Sequence, residues 1–295
     1  MFDVFRNRLE IAGILTTVTA LRISAGRSTE PIGADLPVIK DALGRPLIPG
    51  ASFKGALRSR LESFLRGIDI KFAANPALES EWSIPPDRMS DFKNSINNLT
   101  NQAKEEQLHQ FILNHTDLVS FLFGSPWLAS KFQVRDLTVL PDSWFGQYQE
   151  RDGVAIERDT ETAGDGKLYD FQVVPAGTPF EFRAVVENAE PHELGLLMIG
   201  LHQFETEQIP LGGGRSRGLG VVKLDINKMW WFEYPDNNPE QLLTYLQRLV
   251  NGEKNHYLCS QEQLKSHKQN WTKALIDYLR KNITQPSPTT TEQIT

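Results

Sequence analysis

Apolar and polar positions along the chain change period several times, and each change marks an element. Residues 9–25, LEIAGILTTVTALRISA, are dense in β-branched and apolar side chains and predict one or two strands. From Gly26 to Ala51 the chain carries Gly26, Pro31, Gly33, Pro37, Gly44, Pro46, Pro49 and Gly50, which predicts turns joined by short extended pieces. Helical spacing begins at Ser52, an expected N-cap, with Phe53, Leu57, Leu61 and Phe64 or Leu65 on one face.

Residues 68–128 are polar and uneven, broken at Pro85-Pro86, with a helix expected near 101–114; they predict an insertion. KFQVRDLTVL (131–140) predicts a strand, and in FEFRAVVE (180–187) Phe180, Phe182, Ala184 and Val186 alternate onto one face. Pro191 opens a helix whose Leu194, Leu197, Met198, Leu201 and Phe204 make a core-facing stripe. LGGGRSRGLG (211–220) then leads into the strand VVKLDI. Beyond residue 237, PEQLLTYLQRLV and the stretch 260–281 predict helices, and residues 283–295 a disordered tail.

The main elements run strand, helix, strand, strand, helix, strand, the order of an α+β, ferredoxin-like (RRM-like) core. The expected organisation is therefore a ferredoxin-like domain over 1–237, interrupted by the 68–128 insertion and an excursion at 150–171. A helical extension over 238–282 and the tail at 283–295 follow it. This order alone says little about function.

Composition narrows the classes. A hydrophobic content of 40% across 295 residues suffices for a substantial core. Net charge is −6, which argues against a protein that coats nucleic acid with its whole surface. The charge is uneven: residues 1–66 hold ten Lys/Arg against six acids, a local +4 that leaves −10 for the remainder. One cysteine, Cys259, excludes an intramolecular disulfide and a multi-cysteine zinc site. With no secretory pattern and no run of about 18 apolar residues, the expectation is a cytoplasmic protein with no membrane partner.

Candidate chemistry lies in two segments. In IGADLPVIKDALGRPLIPGASFKGALRSRLE (32–62), Asp35 sits among glycines and prolines, where an aspartate usually serves as a solvated turn residue. Such a carboxylate is also able to hold a divalent metal or take a proton from a ribose 2′-hydroxyl. Asp41 reads as the first residue of a turn. Lys54, just inside the expected helix, adds an ammonium where free N–H groups and the helix dipole already favour phosphate. GASFKGALRS is not a Walker loop, because Gly50-x4-Gly55 is followed by Ala56 and Leu57. In the second segment, Gly213 and Gly214 allow close backbone approach, while Arg215 and Arg217 supply charge and planar stacking. The six histidines form no close metal-ligand pair.

Taken in this order, the early run after TALRISAG and the late LGGGRSRGLGVVKL (211–224) resemble the RAMP superfamily of CRISPR proteins. Within it they are most similar to the repeated backbone subunits of type III effector complexes, over roughly residues 9–66 and 131–226. The resemblance implies a ribonucleoprotein subunit whose partners are a guide CRISPR RNA, a target RNA and other type III effector subunits. It implies that Asp35, which precedes Pro-Val-Ile-Lys-Asp at the family's spacing, cuts the target RNA and holds a divalent metal ion, Mg2+. One residue fewer separates Gly33 from this aspartate than in some relatives. Ser52, Lys54, Arg58, Gly213, Gly214, Arg215 and Arg217 become the expected RNA contacts. The 150–171 excursion becomes a hairpin thumb in which Val154 or Ile156 wedges between bases. Two other readings stay open: a scaffold with an inert Asp35, and a guide-processing endoribonuclease. The second is disfavoured because that activity often uses a histidine, which the N-terminal loop lacks.

Overall fold

The computed structural model of the chain describes residues 4–24, 26, 34–156, 163–234 and 238–283, with the backbone alone at 154–156 and 163–168. The strands are β1 (Asn7–Thr17), β2 (Leu47–Ile48), β3 (Phe132–Val134), β4 (Leu137–Thr138), β5 (Gln149–Ile156), β6 (Ala163–Val173), β7 (Pro179–Glu187) and β8 (Val222–Glu233). The α-helices are α1 (Gly50–Ile68), α2 (Pro86–Ser95), α3 (Asn101–His115), α4 (Leu118–Phe123), α5 (Pro191–Glu205), α6 (Pro239–Val250) and α7 (Gln261–Asn282). None is long and apolar enough to cross a membrane.

Four strands form an antiparallel sheet in the order β3-β7-β1-β8. With α1 and α5 as the two crossovers, this is the ferredoxin-like arrangement. The alternation in β7 holds: Phe180, Phe182, Ala184 and Val186 are all buried. Phe53 of α1 is fully buried, its ring 5.0 Å from that of Phe182 and 4.4 Å from that of Phe204. Leu9, Ile11 and Leu15 of β1 complete this core.

The described residues group into two compact units. One draws on Met1–Arg60, Lys131–Ala189 and Ile199–Lys265 and contains the sheet; the other draws on Leu61–Ser130, Glu190–Met198 and Ser266–Thr295 and is helical. In the helical unit Leu118, Val119, Leu122 and Phe123 are buried, as are Trp271, Leu275 and Leu279 of α7. Gly195 lies so close to α7 that a Cβ there would stand 2.1 Å from the Trp271 carbonyl oxygen.

Three elements differ from the sequence pattern: the strand expected over 131–140 is two, β3 and β4, in different sheets, and two boundaries shift. The first strand ends at Thr17, and residues beyond it form only isolated bridges, Leu21 with Val174 and Ser24 with Val38. The first helix starts at Gly50 rather than Ser52 because its leading N–H is taken by the Asp136 carboxylate, 2.8 Å away. A Cβ at Gly50 would come within 2.7 Å of the Val134 carbonyl oxygen, so the helix can begin there only on glycine.

The sheet face opposite α1 and α5 is also covered. Arg8, Glu10, Trp230 and Phe232 occupy it by register. Tyr245 of α6 stacks on Phe232 at 3.9 Å, and Lys254 lies 4.0 Å from the Trp230 ring centroid while bonding Glu10.

Phe53→Ala removes the ring that α1, β7 and α5 share. It is expected to cost about 3–5 kcal/mol, read as a lower urea midpoint for loss of the sheet unit.

Candidate functional site

Asp35 lies beside the base of the β5–β6 hairpin because its neighbour Leu36 pairs there. The Leu36 N–H donates to the Asp170 carbonyl and the Gln172 N–H donates to the Leu36 carbonyl, each at 3.1 Å, as a parallel bridge to Phe171. The Leu36 side chain packs on a cluster of Ala20, Phe171, Val173 and Leu219, against which Tyr169 also rests. Asp35 itself is half-buried. Among the described residues nothing donates to its carboxylate, whereas Asp41 is fully engaged. Asp41 Oδ1 accepts from the Leu43 and Arg45 N–H groups and Oδ2 from Arg45 Nε, all at 2.8–2.9 Å. The Arg45 backbone donor, with the Arg45 side chain and Leu43 assisting, holds the Asp41 carboxyl below its ordinary range. Asp41 is thus the turn residue that its spacing suggests.

The glycine-arginine loop reaches the same cluster through Leu219. Its glycines divide by role. At Gly212 (φ 73°) a Cβ would stand 2.0 Å from the Arg22 carbonyl oxygen, and at Gly220 (φ 88°) 2.1 Å from that of Leu211. These two admit the protein's own backbone. Gly213 is exposed, a Cβ added there would meet nothing within 4 Å, and its N–H donates to the Arg22 carbonyl at 2.8 Å. Gly214 (φ 76°) starts a 3-10 turn over Arg215–Arg217, both of whose arginines are exposed.

Three residues absent from the sequence expectations bind these parts together. The Arg22 guanidinium lies 4.5 Å from the Phe171 ring centroid. Arg217 Nη1 donates to the Tyr169 hydroxyl at 3.3 Å, and the Tyr169 ring covers Gly153 across the hairpin. The alternation of Tyr169 and Phe171 on β6 is the available signal, hidden by the uneven segment before it. The structure therefore brings Asp35, the hairpin base, Arg22 and Arg217 around one apolar cluster.

Lys54 belongs to a different junction. Its Nζ donates to the Phe132 carbonyl at 3.1 Å, and burial, with the like charge of Arg58 adding, pulls the ammonium below the usual lysine range. Of the first N–H groups of α1, that of Gly50 goes to Asp136, and those of Ser52 and Phe53 go to the Pro49 carbonyl. Ser52 and Arg58 are half-buried on the same helix.

The 150–171 excursion is a hairpin: β5 pairs antiparallel with β6 from Gln149↔Val173 to Ile156↔Ala163. Val154 and Ile156 stand on β5 in that register; what their side chains touch lies outside the described residues. Among the described residues, no group of three or more His, Cys, Asp or Glu is placed to hold a metal ion. An all-protein cage is thus not offered there. Asp35 offers a single carboxylate, the smallest donor set with which a hydrated Mg2+ ion would be compatible.

A sequence profile described as the RAMP superfamily matches residues 14–223. The chain is 25% identical over 226 residues to a protein of Enterococcus italicus named CRISPR system Cms endoribonuclease Csm3, covering 76% of this chain and 92% of that one. Proteins of the same name from Mycobacterium tuberculosis and Methanocaldococcus jannaschii are 50% identical over 56 residues and 43% over 58. Those two matches cover 18% and 19% of this chain, and 24% and 23% of the relatives.

Gly153→Ala places a methyl where the Tyr169 ring lies. We expect it to cost roughly 1–3 kcal/mol in an otherwise unchanged chain. In a Tyr169→Ala background it should cost almost nothing, a coupling that a double-mutant cycle of denaturation measures directly.

Proposed function

The chain belongs to the RAMP superfamily, and we propose that it is the backbone subunit of a type III CRISPR effector, gripping a guide RNA and cutting the paired target RNA with Asp35. The observation that carries this reading is the pairing of a carboxylate with no donor among the described residues and cations around one support. Leu36 fixes Asp35 to the hairpin base, and Leu219 and Tyr169 fix the glycine-arginine loop to the same cluster. The relatives' shared name, an endoribonuclease of a CRISPR system, agrees with it.

In this mechanism, Arg217 and Arg215 hold phosphates of the RNA, and Arg22 adds positive charge beside Phe171. Gly213 gives the strand a site of close approach. Val154 and Ile156 on the hairpin displace a base pair, an unstacking of a few kcal/mol that exposes the adjoining linkage. The Asp35 carboxylate then removes the proton of the ribose 2′-hydroxyl. The freed oxygen bonds to the adjacent phosphorus, and the 5′-oxygen leaves with its bonding pair and takes up a proton. The products are a 2′,3′-cyclic phosphate and a 5′-hydroxyl end. Asp35 is also the residue that would hold a Mg2+ ion, whose chemistry there is to neutralise charge on the phosphate oxygens.

Ser52, Lys54 and Arg58 form a second proposed contact, with the guide, at the start of α1. Because Lys54 also holds the Phe132 carbonyl, its removal acts on the α1–β3 junction as well as on RNA. The other effector subunits complete the assembly within which cutting takes place.

The decisive assay assembles the effector on guide RNA and supplies a labelled complementary RNA. Asp35→Ala is expected to slow one set of cuts by about 10²- to 10⁴-fold while target binding persists. Unchanged cutting at every site would leave a scaffold with an inert loop. Arg217→Ala should weaken retention of guide RNA and flatten the dependence of log K on log salt by about 0.7. An unaltered slope would remove Arg217 from the phosphate contacts.

A further inference from the structure

The segment between β4 and β5 gathers three aromatic residues at the foot of the hairpin, and nothing in the proposed cutting mechanism uses them. Most phenylalanines of this unit are core: Phe53, Phe132, Phe180, Phe182 and Phe204 are among the largest fully buried side chains. Phe145 instead leaves 68% of its surface to solvent. It is not a loose side chain on a bare loop. Its ring stacks on Trp144 at 5.7 Å and 28°, and Trp144 leans on Tyr148 at 4.9 Å and 56°.

Tyr148 anchors this array. Its hydroxyl donates to the Gly44 carbonyl at 2.7 Å, and Lys40 Nζ lies 4.5 Å from its ring centroid. Burial, with the negative charge of Asp41 adding, pushes the Tyr148 hydroxyl up to about 12, so it stays a neutral donor under ordinary conditions. The result is a rigid aromatic ledge with one open ring and an ammonium at its other end.

That pairing selects its ligand. An open ring face takes a planar π-system, and the ammonium at the far end of the ledge takes an anionic group; an unpaired base with its sugar-phosphate chain offers both. Beside these aromatics, Asp142, Ser143, Gly146, Gln147 and Gln149 flank Phe145 in sequence and are all exposed, which leaves its ring open to solvent. Leu43, 75% exposed, precedes Gly44, whose carbonyl accepts from Tyr148.

The ledge is also joined to the cutting loop. An extended segment runs from Asp35 to Lys40, bridged at Leu36 to Phe171, at Val38 to Ser24 and at Lys40 to Pro46. Five residues of extended chain span about 16 Å, a reach of a few nucleotides.

We propose that Phe145, backed by Trp144 and Tyr148 and flanked by Lys40, is a stacking platform for an unpaired RNA base lying a few nucleotides from the linkage at Asp35. The platform rests on the reading that this chain binds RNA, and extends it to a site of single-strand recognition that does not depend on base identity. Every base has a π-face, so the contact tolerates any sequence.

The test uses the full chain and a single-stranded RNA oligonucleotide carrying 2-aminopurine, whose fluorescence falls on stacking. Wild type is expected to quench the probe. Phe145→Ala should abolish the quench and weaken binding by about 5- to 150-fold, and Phe145→Trp should restore both. Lys40→Gln should leave the quench and flatten the salt dependence by about 0.7. Equal binding and quenching by wild type and Phe145→Ala would overturn the platform while leaving RNA binding intact. A wild-type chain that binds no RNA would overturn both the platform and the reading beneath it. Unchanged RNA binding by Phe145→Ala, with loss of its assembly with effector subunits, would reassign the ledge to a protein partner.

Discussion

The parallel bridge between Leu36 and Phe171 is the constraint on which the site depends. Two backbone hydrogen bonds of 3.1 Å fasten a glycine- and proline-rich loop to the base of the hairpin. Burial of Leu36 on Ala20, Phe171, Val173 and Leu219 keeps water from competing for them. Without that attachment Asp35 would be one more carboxylate on a surface loop. With it, one small apolar cluster carries a carboxylate, the hairpin base and the arginine of the glycine-rich loop. The chain's own backbone groups do the positioning, so the loop sequence is free to lack regular structure.

Closure of the sheet's second face takes its aromatics out of reach of a ligand. An open antiparallel sheet can stack bases on its own aromatics. Here Tyr245 and Lys254 cover Phe232 and Trp230, and Arg8 is drawn into ion pairs with Glu10 and Glu187. That face is consumed by the C-terminal extension. Exposed cations and an exposed aromatic are left to the loops that flank the hairpin: Arg215 and Arg217 on one segment, Lys40 and Phe145 on others.

Periodicity makes the core legible. The alternation of Phe180, Phe182, Ala184 and Val186, and the helical spacing of Phe53 and Leu57, each come from burial against a regular partner, so local sequence carries the answer. The α1 start lies two residues ahead of its local pattern because its cap, Asp136, is 86 positions away and nothing nearby announces it. The Tyr169–Arg217 contact is likewise a meeting of remote segments. Glycines are legible as a loop but not by role: Gly212 and Gly220 serve contacts with the protein's own backbone, and only the fold separates them from the open Gly213.

Asp35 and Asp41 show how far residue type alone leads. Both lie in one loop among prolines and glycines, and composition treats them alike. Three donors close on Asp41, which lowers its proton affinity and fixes its oxygens in a turn. A carboxylate so occupied is committed to its turn. Asp35, six residues earlier, keeps its oxygens clear of every described donor while its backbone is pinned through Leu36. Fixed backbone with an uncommitted side chain is the combination that acid-base chemistry requires, because it orders the group without using up its capacity to bond. The loop thus holds two aspartates in opposite states: one is tied into the turn, and the other has no described donor on its oxygens.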